Sequence, residues 1–263
     1  MIEATRSSAN ITYTTWKALF LRAAVNSLSG ARTAWLGLLA EPIVHILIFM
    51  FVFTTLRVRT IGGINTAVWI MAGMLSFFMF RRAAASSMLA IEASKNLFAY
   101  PQIRPSDPVL VQAVLEGFLM VIVTIILLVS SWMYGLAVIP IDPLAVFEAL
   151  FGLWLAGLGF GLIGSVAVGI MPMLGTVLNF NLRILYFLSG VIIPISIIPY
   201  PYKDWLMLNP LVHGLEAARL GFAPYYHVPS GLSISYLYGW AIVMIFVGLA
   251  LHVRFAKILT LPK

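Results

Sequence analysis

Glu41, His45, Phe49 and Phe53 are spaced by four, which puts a carboxylate, an imidazole and two rings on one slowly drifting strip of a helix. The run around them is apolar, and ionisable groups at membrane depth face a bundle interior or a wet cavity. The strip can therefore line a polar passage, or Glu41 and His45 can satisfy each other or a neighbouring helix. Arg81 and Arg82 are adjacent bases closing the apolar stretch Thr66–Phe80. That stretch is about 15 residues, or ~22 Å of helix, short of the ~30 Å hydrocarbon core. The pair either snorkels to an interface or lines a passage. Helical neighbours point about 100° apart, so one arginine is expected to snorkel and the other to meet a ligand. Guanidinium forks grip carboxylate or phosphate at two points, so the chemistry suggested is oxyanion binding. Arg183 and Tyr186, in a later apolar run, are expected on the same passage. Glu216 and Arg219 are three apart and can pair on one helical face.

Other chemistry is poorly supplied. Asp107, Asp142, Glu148 and Asp204 are scattered, whereas metal or acid–base catalysis wants clustered carboxylates. No catalytic residue and no metal site is expected. Gly159-Phe-Gly161-Leu-Ile-Gly164 matches the dinucleotide fingerprint, but it lies in an apolar run with no preceding strand and is read as accidental. No Gly is followed by Lys, which excludes a phosphate-cradling Walker loop, and Cys is absent. No cofactor is expected on this chain.

The elements that must position these residues follow from composition. Hydrophobic residues make up 62% and charged residues 10%, against about 25% charged in a soluble domain. Mean hydropathy is +1.01. The expected fold is an all-α, polytopic integral membrane protein, one transmembrane domain over 1–263. Residues 1–10 lack the apolar core of a signal peptide. The sequon at Asn10 is expected on the inner side and inert. Residues 13–30 read as an interfacial helix, with Trp16, Leu19, Phe20 and Ala23 on one face and Lys17 and Arg22 flanking the other. Six spans follow at 33–55, 66–90, 109–134, 144–171, 173–194 and 232–253.

With both termini inside, the inner face gathers Arg6, Lys17, Arg22, Arg32, Lys95, Arg104, Arg254, Lys257 and Lys263, with Arg183 near an inner turn. The outer loops keep only Arg57, Arg59, Lys203 and Arg219, a bias that supports this orientation and discourages a nucleic-acid partner. Gly157, Gly161, Ser165 and Gly169 form a small-residue ridge for close helix packing.

Two segments cannot sit in lipid as ordinary spans. Residues 91–108 contain Lys95, Asn96, Gln102, Arg104 and Asp107, and Pro101, Pro105 and Pro108 interrupt the helix. They read as a short helix, about Glu92 to Tyr100, pressing Asn96, Phe98, Tyr100 and Arg104 against a soluble partner, or else as a plain solvated loop. Residues 195–230 contain two short apolar helices, Trp205–Leu208 and Leu211–Leu220, broken at Asn209-Pro210. They read as re-entrant half-helices, because irregular backbone at membrane depth must be buried in protein.

The order of these elements, with Asn-Leu-Phe…Pro…Ile-Arg-Pro-Ser-Asp after the second span and Asn-Pro-Leu before the last, resembles the permease subunit of ABC exporters. It is similar in particular to the group 2 capsular polysaccharide export permeases of Gram-negative bacteria and to O-antigen exporter permeases. The resemblance implies that Ser94–Arg104 is a coupling helix touching a separate ATPase, which carries the ATP and Mg. It implies that Trp205, Asn209, Pro210, Glu216 and Arg219 belong to periplasmic gate helices. It also implies a homodimer with two ATPase copies in the inner membrane, periplasmic and outer-membrane export partners, and a lipid-linked polysaccharide as substrate. Aromatic and arginine residues favour an acidic polymer. Three rivals stand beside this reading: a lipid, drug or O-antigen-type exporter of the same fold, a membrane enzyme acting on lipid-linked sugars, and a proton-driven carrier using Glu41, His45 and Glu116.

Overall fold

Helix α3 (Thr66–Ala93) is the axis of the molecule, and its buried residues run without a break from Thr66 to Phe80. In the computed structural model, residues 8–29, 34–55, 60–223 and 225–261 are described. Before α3 come α1 (Ser8–Ser29), α2 (Ala34–Thr55) and the hairpin β1–β2 (Thr60–Ile61, Ile64–Asn65). After it come a 3-10 helix (Lys95–Ala99), α4 (Ser106–Met133), α5 (Pro143–Ile170), α6 (Leu174–Leu188), α7 (Tyr202–Met207), α8 (Pro210–Phe222) and α9 (Ile234–Leu259). Arg6, Arg32, Arg57, Arg59 and Lys263, counted above in the charge bias, lie outside the described residues, as do Gly30 and Thr33.

The fold is nearly all helical, that of a multi-pass membrane protein. Among the described residues α3, α4, α5 and α9 are long and apolar enough to cross a bilayer, while α2 and α6 contribute shorter apolar stretches, Leu39–Thr55 and Leu174–Leu188. Apolar residues gain nothing by leaving lipid for one another, so close packing must hold such helices together. Glycine supplies that closeness. A Cβ on Gly157 would lie 2.5 Å from the Phe80 carbonyl oxygen, and one on Gly161 would lie 2.5 Å from Cβ of Ser87. This part of the small-residue ridge therefore seats α5 on α3. Farther along, Ser165 bonds His252 of α9 at 3.2 Å, and a Cβ on Gly169 would meet Leu259 of α9. The ridge thus serves both neighbours. The Gly-x-Gly-x-x-Gly run lies wholly inside α5.

Two local features depart from the sequence expectation. The apolar run drawn as 173–194 is helical only over Leu174–Leu188. Gly190 turns the chain at φ +71°, and Pro194 precedes a single 3-10 turn at Ile195–Ile197. The hairpin before α3 was not anticipated. Gly62 and Gly63, at φ +58° and +93°, supply its turn in the positive-φ pairing that suits tight hairpins.

The hairpin, the turn after α6, α7 with the start of α8, and residues 225–233 gather at one end of the bundle, linked by Asn209 to Ser189 and by His227 N–H to the Gly62 carbonyl. At the other end α1 and the 3-10 helix meet the start of α4.

Candidate functional site

The strip on α2 forms a stack of rings. His45 lies over Phe49 with centroids 5.0 Å apart and planes 12° from parallel, and Phe49 continues to Phe53 at 6.3 Å. His45 also meets Phe78 edge-on at 5.3 Å and Tyr186 at 6.3 Å, and Tyr186 packs on Phe77 at 5.1 Å. His45, Phe77, Phe78 and Tyr186 wall a cavity of about 190 Å³ between α2, α3 and α6, lined also by Arg81 and Arg183 but not by Phe49 or Phe53. The structure therefore brings His45, Arg81, Arg183 and Tyr186 together. Glu41 is exposed one turn earlier on α2 and does not line the cavity. Pro42 lies inside that helix rather than at its start.

Arg81 and Arg82 separate. The Arg81 guanidinium carbon stands 5.8 Å from the Phe78 ring centre. Arg82 points toward α4, where its Nε donates to Glu116 Oε2 at 2.8 Å. Glu116 Oε1 accepts from Ser86 at 2.7 Å and from Gln112 at 3.4 Å. Both arginines lie near the middle of α3, because the helix runs on past them to Ala93. The apolar stretch Thr66–Phe80 is thus the first half of a longer helix. Arg82 reaches its acid inside the bundle. Glu116, a candidate proton relay with Glu41 and His45, belongs to this second cluster and not to the cavity.

A short helix lies within the segment Glu92 to Tyr100, directly after α3. It is a 3-10 helix of 5 residues, Lys95–Ala99. Lys95 pairs with Glu92 at 2.5 Å. Asn96, Tyr100 and Arg104 are exposed. Phe98 is half-buried and packs against the cluster of Ala90, Ile91, Val109 and Leu162. Asp107, read as isolated, holds this end together. Its Oδ2 accepts from the Arg104 backbone N–H at 2.8 Å, and its Oδ1 accepts from Trp16 Nε1 at 3.1 Å, tying α1 to the start of α4. Those two residues are 91 apart in sequence, and no local pattern could have paired them.

At the opposite end Asn209 caps α8, accepting from Leu211 N–H at 3.1 Å and donating to Ser189 Oγ at 3.0 Å. Pro210 takes the first helical position, where its missing N–H costs nothing. Glu216 and Arg219 do pair, at 2.8 Å, and both are fully buried. The Arg219 guanidinium stacks 3.7 Å from the Trp69 ring centre and donates to the carbonyls of Gly190 at 2.9 Å and Val191 at 3.1 Å. A Cβ on Gly73 would collide with Nη2 of Arg219, so glycine makes room for the charge. Glu216 and Arg219 are thus a buried hub joining α3, α8 and the turn after α6. Trp205, by contrast, is exposed on α7.

Sequence reasoning missed two members of this end. His213 Nδ1 accepts from Ser233 N–H at 3.0 Å and its Nε2 meets the Met207 carbonyl at 2.8 Å, a pattern that only the Nε2–H tautomer satisfies. It clasps α7, α8 and the start of α9. Tyr226, in the loop before α9, accepts from Trp69 Nε1 at 3.2 Å. Burial, only partly offset by the nearby Arg219 charge, pushes the phenol up to about 12, so it stays protonated at neutral pH.

Comparison with known proteins follows the same outline. Residues 14–223 match the family described as ABC-2 type transporter. The chain is 34% identical over 251 residues to the polysialic acid transport protein KpsM of Escherichia coli, spanning 94% of this chain and 95% of that one. It is 24% identical over 247 residues to the capsule polysaccharide export inner-membrane protein CtrC of Neisseria meningitidis serogroup A, spanning 91% and 90%. Nodulation protein J of Rhizobium leguminosarum bv. trifolii is 24% identical over 220 residues, spanning 78% and 79%.

Proposed function

The chain belongs to the ABC-2 type transporter family, and from that premise we propose that it is the permease subunit of an ATP-driven exporter moving an acidic, lipid-linked capsular polysaccharide across the bacterial inner membrane. The functions of its relatives support the substrate class: polysialic acid transport in one, capsule polysaccharide export in another. The observation that carries the site is the cavity lined by His45, Arg81, Arg183 and Tyr186, where two cations and several rings meet between α2, α3 and α6. Rings suit sugar faces and arginines suit acidic groups.

The rest of the proposal follows from what the chain lacks and exposes. Its sequence holds no phosphate-cradling loop, so ATP and Mg bind a partner ATPase. The exposed surface of Asn96, Tyr100 and Arg104 is the place for that partner to dock. Exposed Lys17, Arg22, Arg104, Arg254 and Lys257 gather at this same end, the bias expected of a cytoplasmic face. In this orientation α2, α3, α4, α5, α6 and α9 are the six spans, both termini are cytoplasmic, and α7 and α8 form the re-entrant element of a periplasmic gate. Two permease copies and two ATPase copies complete the exporter, with periplasmic and outer-membrane proteins carrying the polymer onward. Deleting the gene tests the proposal in the native cell. Polymer should accumulate inside and vanish from the surface until the wild-type gene is restored; unchanged surface polymer refutes it.

A further inference from the structure

We infer that the cavity between α2, α3 and α6 is an oxyanion subsite that holds a single carboxylate or phosphate group of the exported molecule, an inference that rests on the proposed export function. Three independent observations converge on it.

The first is charge. Of the arginines on α3, α6 and α8, Arg82 has Glu116 and Arg219 has Glu216. Arg81 and Arg183 line the cavity, and among the described residues neither forms an ion pair. A guanidinium at membrane depth is expensive unless something anionic or strongly accepting meets it. Here half-buried Arg81 and exposed Arg183 face one space, and among the described residues no carboxylate lines it.

The second is unused hydrogen bonding. His45 Nε2 and Tyr186 Oη are sealed from solvent and bond to nothing in the chain. Buried polar atoms are nearly always paired, so each exception calls for an explanation. An anion seated beside the arginines gives the tyrosine hydroxyl an acceptor, and the imidazole likewise in its Nε2–H tautomer.

The third is size. The cavity holds about 190 Å³, below the roughly 300–1,000 Å³ of pockets that enclose a whole small molecule. It admits an acidic group and its nearest atoms, leaving the rest of a polymer outside. Phe77 and Phe78 make the remaining wall apolar, which weakens screening and strengthens the attraction of the cations for an anion.

A sugar carboxylate and a lipid-linked phosphate share this chemistry, and the test separates them. The full-length permease is purified into phosphatidylcholine nanodiscs and its melting midpoint is followed against glucuronate, inorganic phosphate and glucose at constant ionic strength. The midpoint should rise saturably with at least one of the two anions and stay flat with glucose. Glucuronate acting alone or at lower concentration assigns the subsite to the sugar acid. Phosphate acting first, with phosphatidylglycerol nanodiscs giving the same rise, assigns it to a lipid phosphate. Arg81→Gln and Arg183→Gln should each weaken the apparent affinity by roughly tenfold or more. Tyr186→Phe, which keeps the ring packing against His45 and Phe77, should weaken it less and guards against misfolding of the arginine variants. Glucose acting like the anions, or variants matching wild type, overturns the subsite. Polymer export by the same cells is scored separately: export without anion binding removes the subsite alone, whereas no export by the wild type removes the export reading itself.

Discussion

At the residue scale, what separates Arg81 from Arg82 is a single helical step. Adjacent residues point about 100° apart, so α3 sends one guanidinium to the ring-walled cavity and the other to Glu116. The side chains of Arg82 and Glu116 are 13% and 6% exposed. Breaking a pair this buried by removing one partner costs about 3–5 kcal/mol, because the remaining charge is stranded. Glu116→Gln keeps the shape and an acceptor for Ser86 but discards the charge, so it should lower both the melting midpoint in detergent and the amount of protein in the membrane. The double variant Arg82→Met with Glu116→Leu should recover much of that loss. If Glu116→Gln melts with the wild type, the pair is not holding α3 to α4. The strip from Glu41 to Phe53 was legible because four-residue spacing is local arithmetic. The partners of Arg82 and Asp107 were not, because they depend on which distant helix packs alongside.

The elements sort themselves by how their ends are made. Helix α8 was readable from Asn209-Pro210, a cap followed by the one residue that needs no N–H at the first position. The end of α6 was not readable, since Ser189–Ile198 is as apolar as the helix before it and only Gly190 and the prolines stop it. In the segment after α3, the sequence offered both Phe98 and Tyr100 to a partner and could not tell which ring was the more exposed. Phe98 packs inward and Tyr100 is 56% exposed. Their aspartate variants should therefore fail differently. Phe98→Asp puts a charge against Ala90, Val109 and Leu162 and should reduce the protein in the membrane. Tyr100→Asp should leave protein level unchanged while cutting the coupling of ATP hydrolysis to export. Full accumulation of Phe98→Asp, or normal coupling in Tyr100→Asp, contradicts this division of roles.

At the scale of the whole molecule, α3 and α5 are the interior, and the outer faces of α2, α4, α6 and α9 leave large apolar side chains uncovered, among them Phe51, Phe118, Phe187 and Phe246. Such faces suit lipid or, in the proposed dimer, a second copy of the chain. The family and the membrane architecture were legible in the sequence because composition and element order survive without any contact being known. The Glu216–Arg219–Trp69 hub and the His213 clasp needed coordinates, since each unites residues from separate elements. As proposed, this bundle moves an acidic polymer with energy from a separate ATPase. Inside-out membrane vesicles containing the permease and its ATPase, loaded from outside with lipid-linked polymer, test it most directly. Polymer should become protected in the lumen on addition of ATP and Mg, and a proton gradient alone should give none. Uptake driven by the gradient without ATP is incompatible with an ATP-driven exporter.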